Sequence, residues 1–258
     1  MSHPLTQKQI AAFRHASNIV YLNRPTGDSI GTLSERMLHA ILKQYLCEDQ
    51  TCHEIRVGRY HADICVEGHI WEIQTRRLDR LLPKLDQFLE AYEVTVVYPI
   101  AYSKTVAWID PENGTMTKGR KSPKRGSIYS ALYELFYIRE YLTHPRFSFQ
   151  AILCDMEEFR TLTGYGPKKK KRAPRVERIP TALVDEVLLE GLEDYTIFLP
   201  DTLPDPFTVK EYAKATRLSE SAARRGLQVL SGLGLIEDAG KRGRAKLYGK
   251  CEVTGDVS

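Results

Sequence analysis

"HADICVEGHIWEIQTRR", His61 to Arg77, sets two short apolar runs on either side of Gly68 and puts a carboxylate in each: Asp63 in the first, and Glu72, with Gln74 two positions on, in the second. Runs this short, rich in β-branched and aromatic residues and bounded by glycine, predict two strands of a hairpin. Residues two apart on a strand share a face, so Glu72 and Gln74 should point together toward Asp63 while Ile73 turns to the opposite, buried side. Burying an unpaired charge costs several kcal/mol or forces the group to neutralise, so two acids on such strands need a cation or a chemical task.

Working outward, "HEIRVG" before this stretch reads as a third strand of a meander, set off by Gly58. Upstream, "TLSERMLHAILKQYL" carries a helical stripe from Leu33, with Thr32 and Glu35 spaced as a capping box. Downstream, "LDRLLPKLDQFLEAY" returns to helical spacing, with a kink or a later start at Pro83. "EVTVVYPIAY" is an apolar run of the kind a strand covered on both faces shows, and "TVAWID" is also strand-like. The order helix, three strands, helix, strands predicts an α/β fold with one mixed central sheet flanked by helices. "SIYSALYELFYIREYL" predicts a helix with tyrosines at 129, 133, 137 and 141 used for packing, and "FQAILCDMEEF" a strand leading into a short helix. "TALVDEVLLEGLEDY" reads as an acidic amphipathic helix beyond a boundary at "GYGPKKKKRAPRVER".

The chain has 258 residues, 42% of them hydrophobic, enough for one large domain or two smaller ones. No run approaches the roughly 18 apolar residues of a membrane span, and the N-terminus lacks a signal-peptide core, so no membrane and a cytoplasmic, nucleoid-associated location are expected. Five scattered cysteines fit reduced thiols, and Cys47, Cys52 and His53 lack the second ligand pair of a zinc site. The net charge of +4 is unevenly spread: +1 over residues 1–166, +6 over 167–178, −7 over 179–205, +6 over 206–250 and −2 over the tail. Two separated basic segments are the segregation expected of a chain that meets a polyanion. "PKKKKR" alone also fits a nuclear address; between two candidate binding units it reads as a linker that tracks a phosphate backbone.

The segment Phe207 to Lys250 reads as helix, tight turn, second helix from about Ser219 and a basic strand pair, and it resembles a winged helix-turn-helix. The resemblance rests on Ser219 with the small Ala222 and Ala223, on "LSGLGLIE", and on the tip between Gly240 and Gly243. It implies DNA contacts by Ser219, Ser221, Arg224 and Arg225 on the second helix and by Lys241, Arg242, Arg244 and Lys246 on the wing. Winged helices also serve as protein adaptors; the basic wing favours DNA.

Residues Gly31 to Pro111 resemble the PD-(D/E)XK nuclease superfamily, whose signature reads here as Asp63, then Glu72, Ile73 and Gln74. The resemblance implies a restriction-endonuclease-like sheet and Mg²⁺ or Mn²⁺ held by Asp63, Glu72 and Glu35, the hard oxygen ligands such ions take. Glu35 has two readings, metal ligand and capping partner of Thr32. Gln74 stands where most members carry lysine, and an amide has no proton to titrate in the working range; Lys84 and Lys104 are candidates to supply that charge. Arg76 and Arg77, beside the site, and Lys168, Lys169, Lys170, Lys171 and Arg172 are expected phosphate contacts. The resulting expectation is a nuclease-like domain over 1–166, a basic linker over 167–180, a winged helix over 181–250 and a tail over 251–258. Together they would act as a Mg²⁺-dependent DNA endonuclease, with a homodimer or two visits needed to cut both strands. The alternative is an inert nuclease fold kept as a DNA-binding or regulatory protein.

Overall fold

His53–Val57 (β1), Tyr60–Val66 (β2) and His69–Ile73 (β3) form the antiparallel meander that the glycine spacing predicts. Gly58 turns the first corner at φ 59°, where an added Cβ would meet the Gln87 side chain at 1.8 Å, so only glycine suits this turn. The computed structural model describes residues 4–23, 36–110, 112, 114–161 and 175–252.

From β3 the chain passes through a 3₁₀ turn (Leu78–Leu81) and helix α3 (Leu82–Phe88) into Glu93–Ile109 (β4), parallel to β3. Pro83 lies in the first turn of α3, where its missing N–H costs nothing; of the two outcomes expected at this proline, the late start is the one seen. β4 is one continuous strand across the two segments read separately, and Arg120–Lys121 (β5) pairs with its far half. Helix α4 (Leu132–Leu135), with 3₁₀ turns at Ile128–Ala131 and Phe136–Tyr141, leads to Phe147–Thr161 (β6), parallel to β4. Arg175–Leu189 (β7) then runs antiparallel to β6. The sheet order is β1-β2-β3-β4-β6-β7 with β5 beside β4, a mixed sheet flanked by helices.

Helices α1 (Gln7–Leu22) and α2 (Arg36–Leu46) cover one face, packing Phe13, Leu38, Ile41 and Leu42 on Ile73, Val97 and Ile152. The sequence reading passed over α1, although Thr6 and Gln9 form a full capping box at its start. The opposite face packs Ile70, Val96 and Phe149 against Leu81, Leu85, Phe88, Leu132 and Leu135. Glu35 and Thr32 lie outside the described residues.

The C-terminal unit comprises a 3₁₀ turn (Leu192–Phe198), β8 (Phe207–Thr208), α5 (Val209–Thr216), α6 (Glu220–Gly232), β9 (Ile236–Arg242) and β10 (Ala245–Lys250). β10 lies between β8 and β9. Ser219 caps α6, its Oγ accepting from the Ala222 N–H at 3.3 Å, so the second helix starts where the sequence places it. The unit is not separate from the sheet: Phe198, Phe207, Tyr212, Ala223 and Leu227 belong to the same buried cluster as Leu132 and Phe149. At the seam, a Cβ on Gly226 of α6 would stand 2.9 Å from Leu132 Cδ1 and 3.3 Å from Leu132 Cβ. The absent side chain is what lets α6 approach α4.

Three sequence expectations are corrected here. Thr181 to Leu189 is strand, not helix, and Phe147 to Thr161 is strand throughout, with no short helix at its end. The reason for the first lies in a bulge. Leu153 pairs with Asp185 and Cys154 with Leu183, leaving Val184 as an extra residue. The extra residue swaps faces, so Val187 and Leu189 join one core and Ile179 and Leu183 the other. Buried positions therefore recur at spacings that imitate a helix. The third correction concerns the linker. Arg175 to Pro180 lie inside β7, and Arg160 pairs with Arg175, so the basic stretch connects two neighbouring strands of one sheet rather than two domains. Lys168 to Arg172 lie outside the described residues.

Candidate functional site

The β2–β3 ladder pairs Val66 with His69, Cys65 with Ile70 and Ile64 with Trp71. Beyond that point β3 stays on β4, with Glu72 opposite Val96 and Ile73 opposite Val97, and side chains take over its pairing with β2. The Asp63 N–H donates to Glu72 Oε1 at 3.2 Å, and the Ile73 N–H donates to Asp63 Oδ2 at 2.8 Å. The two carboxylates are thus brought together at a fork in the sheet.

Each has a nitrogen partner from a different layer. From α3, Lys84 Nζ donates to Glu72 Oε2 at 2.8 Å and to the His61 carbonyl at 2.7 Å. From α2, His39 Nε2 stands 3.3 Å from Asp63 Oδ2 and 2.9 Å from the Ile73 carbonyl oxygen. A carbonyl only accepts, so Nε2 is the nitrogen that carries the proton. Burial pushes Glu72, 2% exposed, up to about 7; the charge of Asp63 adds to the rise and Lys84 opposes it. Burial also works to raise Asp63, but the hydrogen bond and charge of His39, the Ile73 N–H and Lys84 outweigh it, and Asp63 is held below its ordinary range. For His39, burial lowers the pKa and the Asp63 hydrogen bond and charge more than restore it, leaving the ring raised. Two acids one hydrogen bond apart are therefore driven in opposite directions.

The other sequence candidates are distributed as follows. Gln74 turns away from the pair: its Nε2 donates to the Arg77 carbonyl at 3.3 Å and its backbone N–H to Val97. Arg76 is exposed, and Arg77 closes a two-bonded pair with Asp79 at 2.9 and 2.8 Å. Lys104 serves Glu158 at 3.4 Å, leaving Lys84 as the lysine at the site. On α6, Ser221 Oγ lies 3.1 Å from Ser219 Oγ and Arg224 is exposed, 3.5 Å from Glu220. Arg225 departs from expectation. Its guanidinium lies 4.3 Å from the Tyr133 ring centre, 5.5 Å from that of Tyr137 and 5.7 Å from that of Phe136, and it donates to Tyr137 Oη at 2.7 Å. It clamps α6 to the helical segment before β6 instead of facing outward. On the wing, Lys241 and Arg244 are exposed, while Arg242 pairs with Glu211 at 2.8 Å and Lys246 with Asp238 at 3.1 Å.

His39 is the residue of the site that sequence reasoning missed; its position four residues after Glu35, the helical spacing, was the available signal. Among the described residues no helix is long and apolar enough to cross a membrane.

A protein of Treponema pallidum (strain Nichols), described as an uncharacterized protein, is 29% identical over 235 residues, covering 88% of this chain and 90% of its own. No solved structure matches the chain. Residues 36–190 match the family described as Domain of unknown function (DUF8091). The matched segment opens on the first residue of α2 and closes one residue after β7, so it spans the sheet, its fork and the helices bearing His39 and Lys84. By that match over more than half its length, the chain belongs to the DUF8091 family.

Proposed function

We propose that the chain is a metal-dependent DNA endonuclease of the restriction-endonuclease-like kind with a winged-helix DNA-binding unit at its C-terminus. The observation that carries the reading is the fork: Asp63 and Glu72 joined by Asp63 N–H to Glu72 Oε1, with Lys84 on the second carboxylate. The meander followed by a helix and a parallel strand is consistent with that fold, and the order β8-β10-β9 with α5 and α6 with a winged helix.

The donor set fits a hard divalent ion. Mg²⁺ is commonly held by one or two carboxylates with water completing the shell, so Asp63 and Glu72 suffice, and Glu35 remains a candidate third ligand. The two influences that raise Glu72, burial and the charge of Asp63, are those a nearby cation offsets. When bound, such an ion lowers the pKa of a coordinated water and offsets charge on a phosphoryl oxygen. The chain's own residues supply the rest. His39 orients Asp63, and Lys84 provides the charge that Gln74, as an amide, lacks. Arg76, Arg224, Lys241 and Arg244, all exposed, are the phosphate contacts, together with Lys168 to Arg172. Arg77, Arg224, Arg242 and Lys246 must leave carboxylates of this chain to make such contacts.

The test is nicking of supercoiled plasmid with Mg²⁺ or Mn²⁺. Asp63→Asn and Glu72→Ala should each lower it by at least about 10²-fold, and Lys84→Ala should lower it while leaving DNA affinity unchanged. If six phosphates are neutralised, affinity should fall by on the order of 10³-fold between 50 and 200 mM salt. A second reading, an inert nuclease fold used for DNA binding or regulation, is favoured by one observation: each carboxylate already has its own side-chain partner, Lys84 or His39. Salt-sensitive DNA binding without cleavage, or cleavage that survives both substitutions, would decide for it.

A further inference from the structure

The corner between α2 and β1 carries chemistry that the fork does not use. Cys47 is the first residue after α2, and Cys52 ends the 3₁₀ turn Gln50–Cys52 that runs into β1. The corner is closed by its own hydrogen bonds. The Cys52 N–H donates to the Asp49 carbonyl at 3.1 Å, Asp49 Oδ1 accepts from the Thr51 N–H at 2.9 Å, and His53 Nε2 lies 2.9 Å from the Cys47 carbonyl oxygen. Inside it both thiols converge on one residue: Cys47 Sγ donates to the Asp49 carbonyl at 3.5 Å and Cys52 Sγ to Asp49 Oδ2 at 3.8 Å. Burial raises the pKa of Cys47, and the charge of the neighbouring Cys52 adds to the rise. Both are half-buried, within reach of a small solute.

A third thiol stands behind them. The β1–β2 register ends on His53 and Ile64, and Cys52 and Cys65 are the next residues of the two chain segments beyond that pair. Burial raises the pKa of Cys65, and the charge of Cys52 adds to it.

We propose that Cys47 and Cys52 form a reversible dithiol–disulfide pair, oxidised by exchange with a low-molecular-weight disulfide. One cysteine, as thiolate, attacks a sulfur of the reagent, forming a mixed disulfide and releasing one reagent thiol. The other, deprotonated in turn, attacks the protein sulfur of that mixed disulfide; the Cys47–Cys52 bond forms and the second reagent thiol leaves. The protein loses two electrons and two protons, and the reagent gains them. The corner favours this partner because its backbone is already folded back on itself, so the bond needs no long movement of chain ends. Cys65 is fixed in a strand and is the competing partner.

The test uses the full chain, folded, in oxidised and reduced glutathione at varied ratio, followed by alkylation and peptide mass mapping. The expected product is one Cys47–Cys52 linkage, its intact mass lower by two hydrogens and restored by excess reduced glutathione. Cys251, half-buried and far along the chain from the other four cysteines, should carry a glutathione adduct under the same conditions. Cys154, fully buried, should react only after unfolding. Cys52→Ser should leave Cys47 as a stable glutathione adduct. The proposal is overturned by adducts that persist on both cysteines of the unsubstituted protein, by a Cys52–Cys65 linkage, or by no reaction at a ratio that modifies Cys251.

Discussion

Glu72 and Asp63 share a hydrogen bond and little else. Glu72 has its pKa above the unfolded value of 4.5, so the folded state holds a proton that the unfolded state gives up. Its effect is absent below about 4.5, and stability falls as pH rises from there to about 7, by on the order of 3 kcal/mol in all. Asp63 has the opposite sign: the stability it contributes is present above 3.8 and lost as pH falls through its lowered folded value. His39, raised, stabilises most below 6.5 and loses that contribution as pH rises through its folded pKa. Glu72→Gln should therefore flatten the decline between about pH 5 and about pH 7 while leaving the acid side set by Asp63, as urea midpoints at a series of pH values would show. Lys84→Met removes the cation from a carboxylate that is 2% exposed. The loss should be about 3 kcal/mol near pH 8, where Glu72 must ionise, and much smaller near pH 5, where it keeps its proton. At this scale the sequence was informative where a residue type conflicted with its surroundings, as at Asp63 and Glu72. His39 gave no such conflict, because a polar residue on a half-buried helix is ordinary, and Lys84 could be named but not placed, because its partner comes from another layer.

Elements were legible where one period held throughout. The meander, α3 and α6 follow their patterns, and glycine, proline and serine mark their ends. β7 defeats that logic because the bulge at Val184 changes which face each later residue takes, and no residue type announces it. Arg225 misled for a related reason. A basic residue near the start of a second helix suggests an outward role, yet three aromatic rings of the preceding unit enclose it, and only the fold brings them there. Two expectations follow at this scale. Gly226→Val would press a branched side chain onto Leu132, destabilising the protein by about 1–3 kcal/mol in chemical denaturation. Arg225→Ala should speed amide exchange across both Ile128–Tyr141 and Glu220–Gly232, and Arg225→Lys should not restore protection, because an ammonium neither stacks on rings nor offers a planar fork.

For the molecule as a whole, the buried cluster that runs from Ile70 in β3 to Leu235 beyond α6 makes the two units one cooperative body. Both tryptophans, Trp71 and Trp108, lie in the sheet, and the C-terminal unit has none. Fluorescence and far-UV circular dichroism should accordingly melt together; an additional transition seen only by circular dichroism would show that the C-terminal unit unfolds alone. The basic run invited a division near residue 167, since charge and proline usually mark a break. β7 belongs to the same sheet beyond that run and ends at Leu189, one residue before the family match does. The Leu132–Gly226 seam joins a helix within that matched segment to one outside it. The two positions must then be inherited as a pair: a lineage that gains bulk at 226 has to give it up at 132, and a chimaera drawing its two halves from different members will assemble only where that trade has been kept.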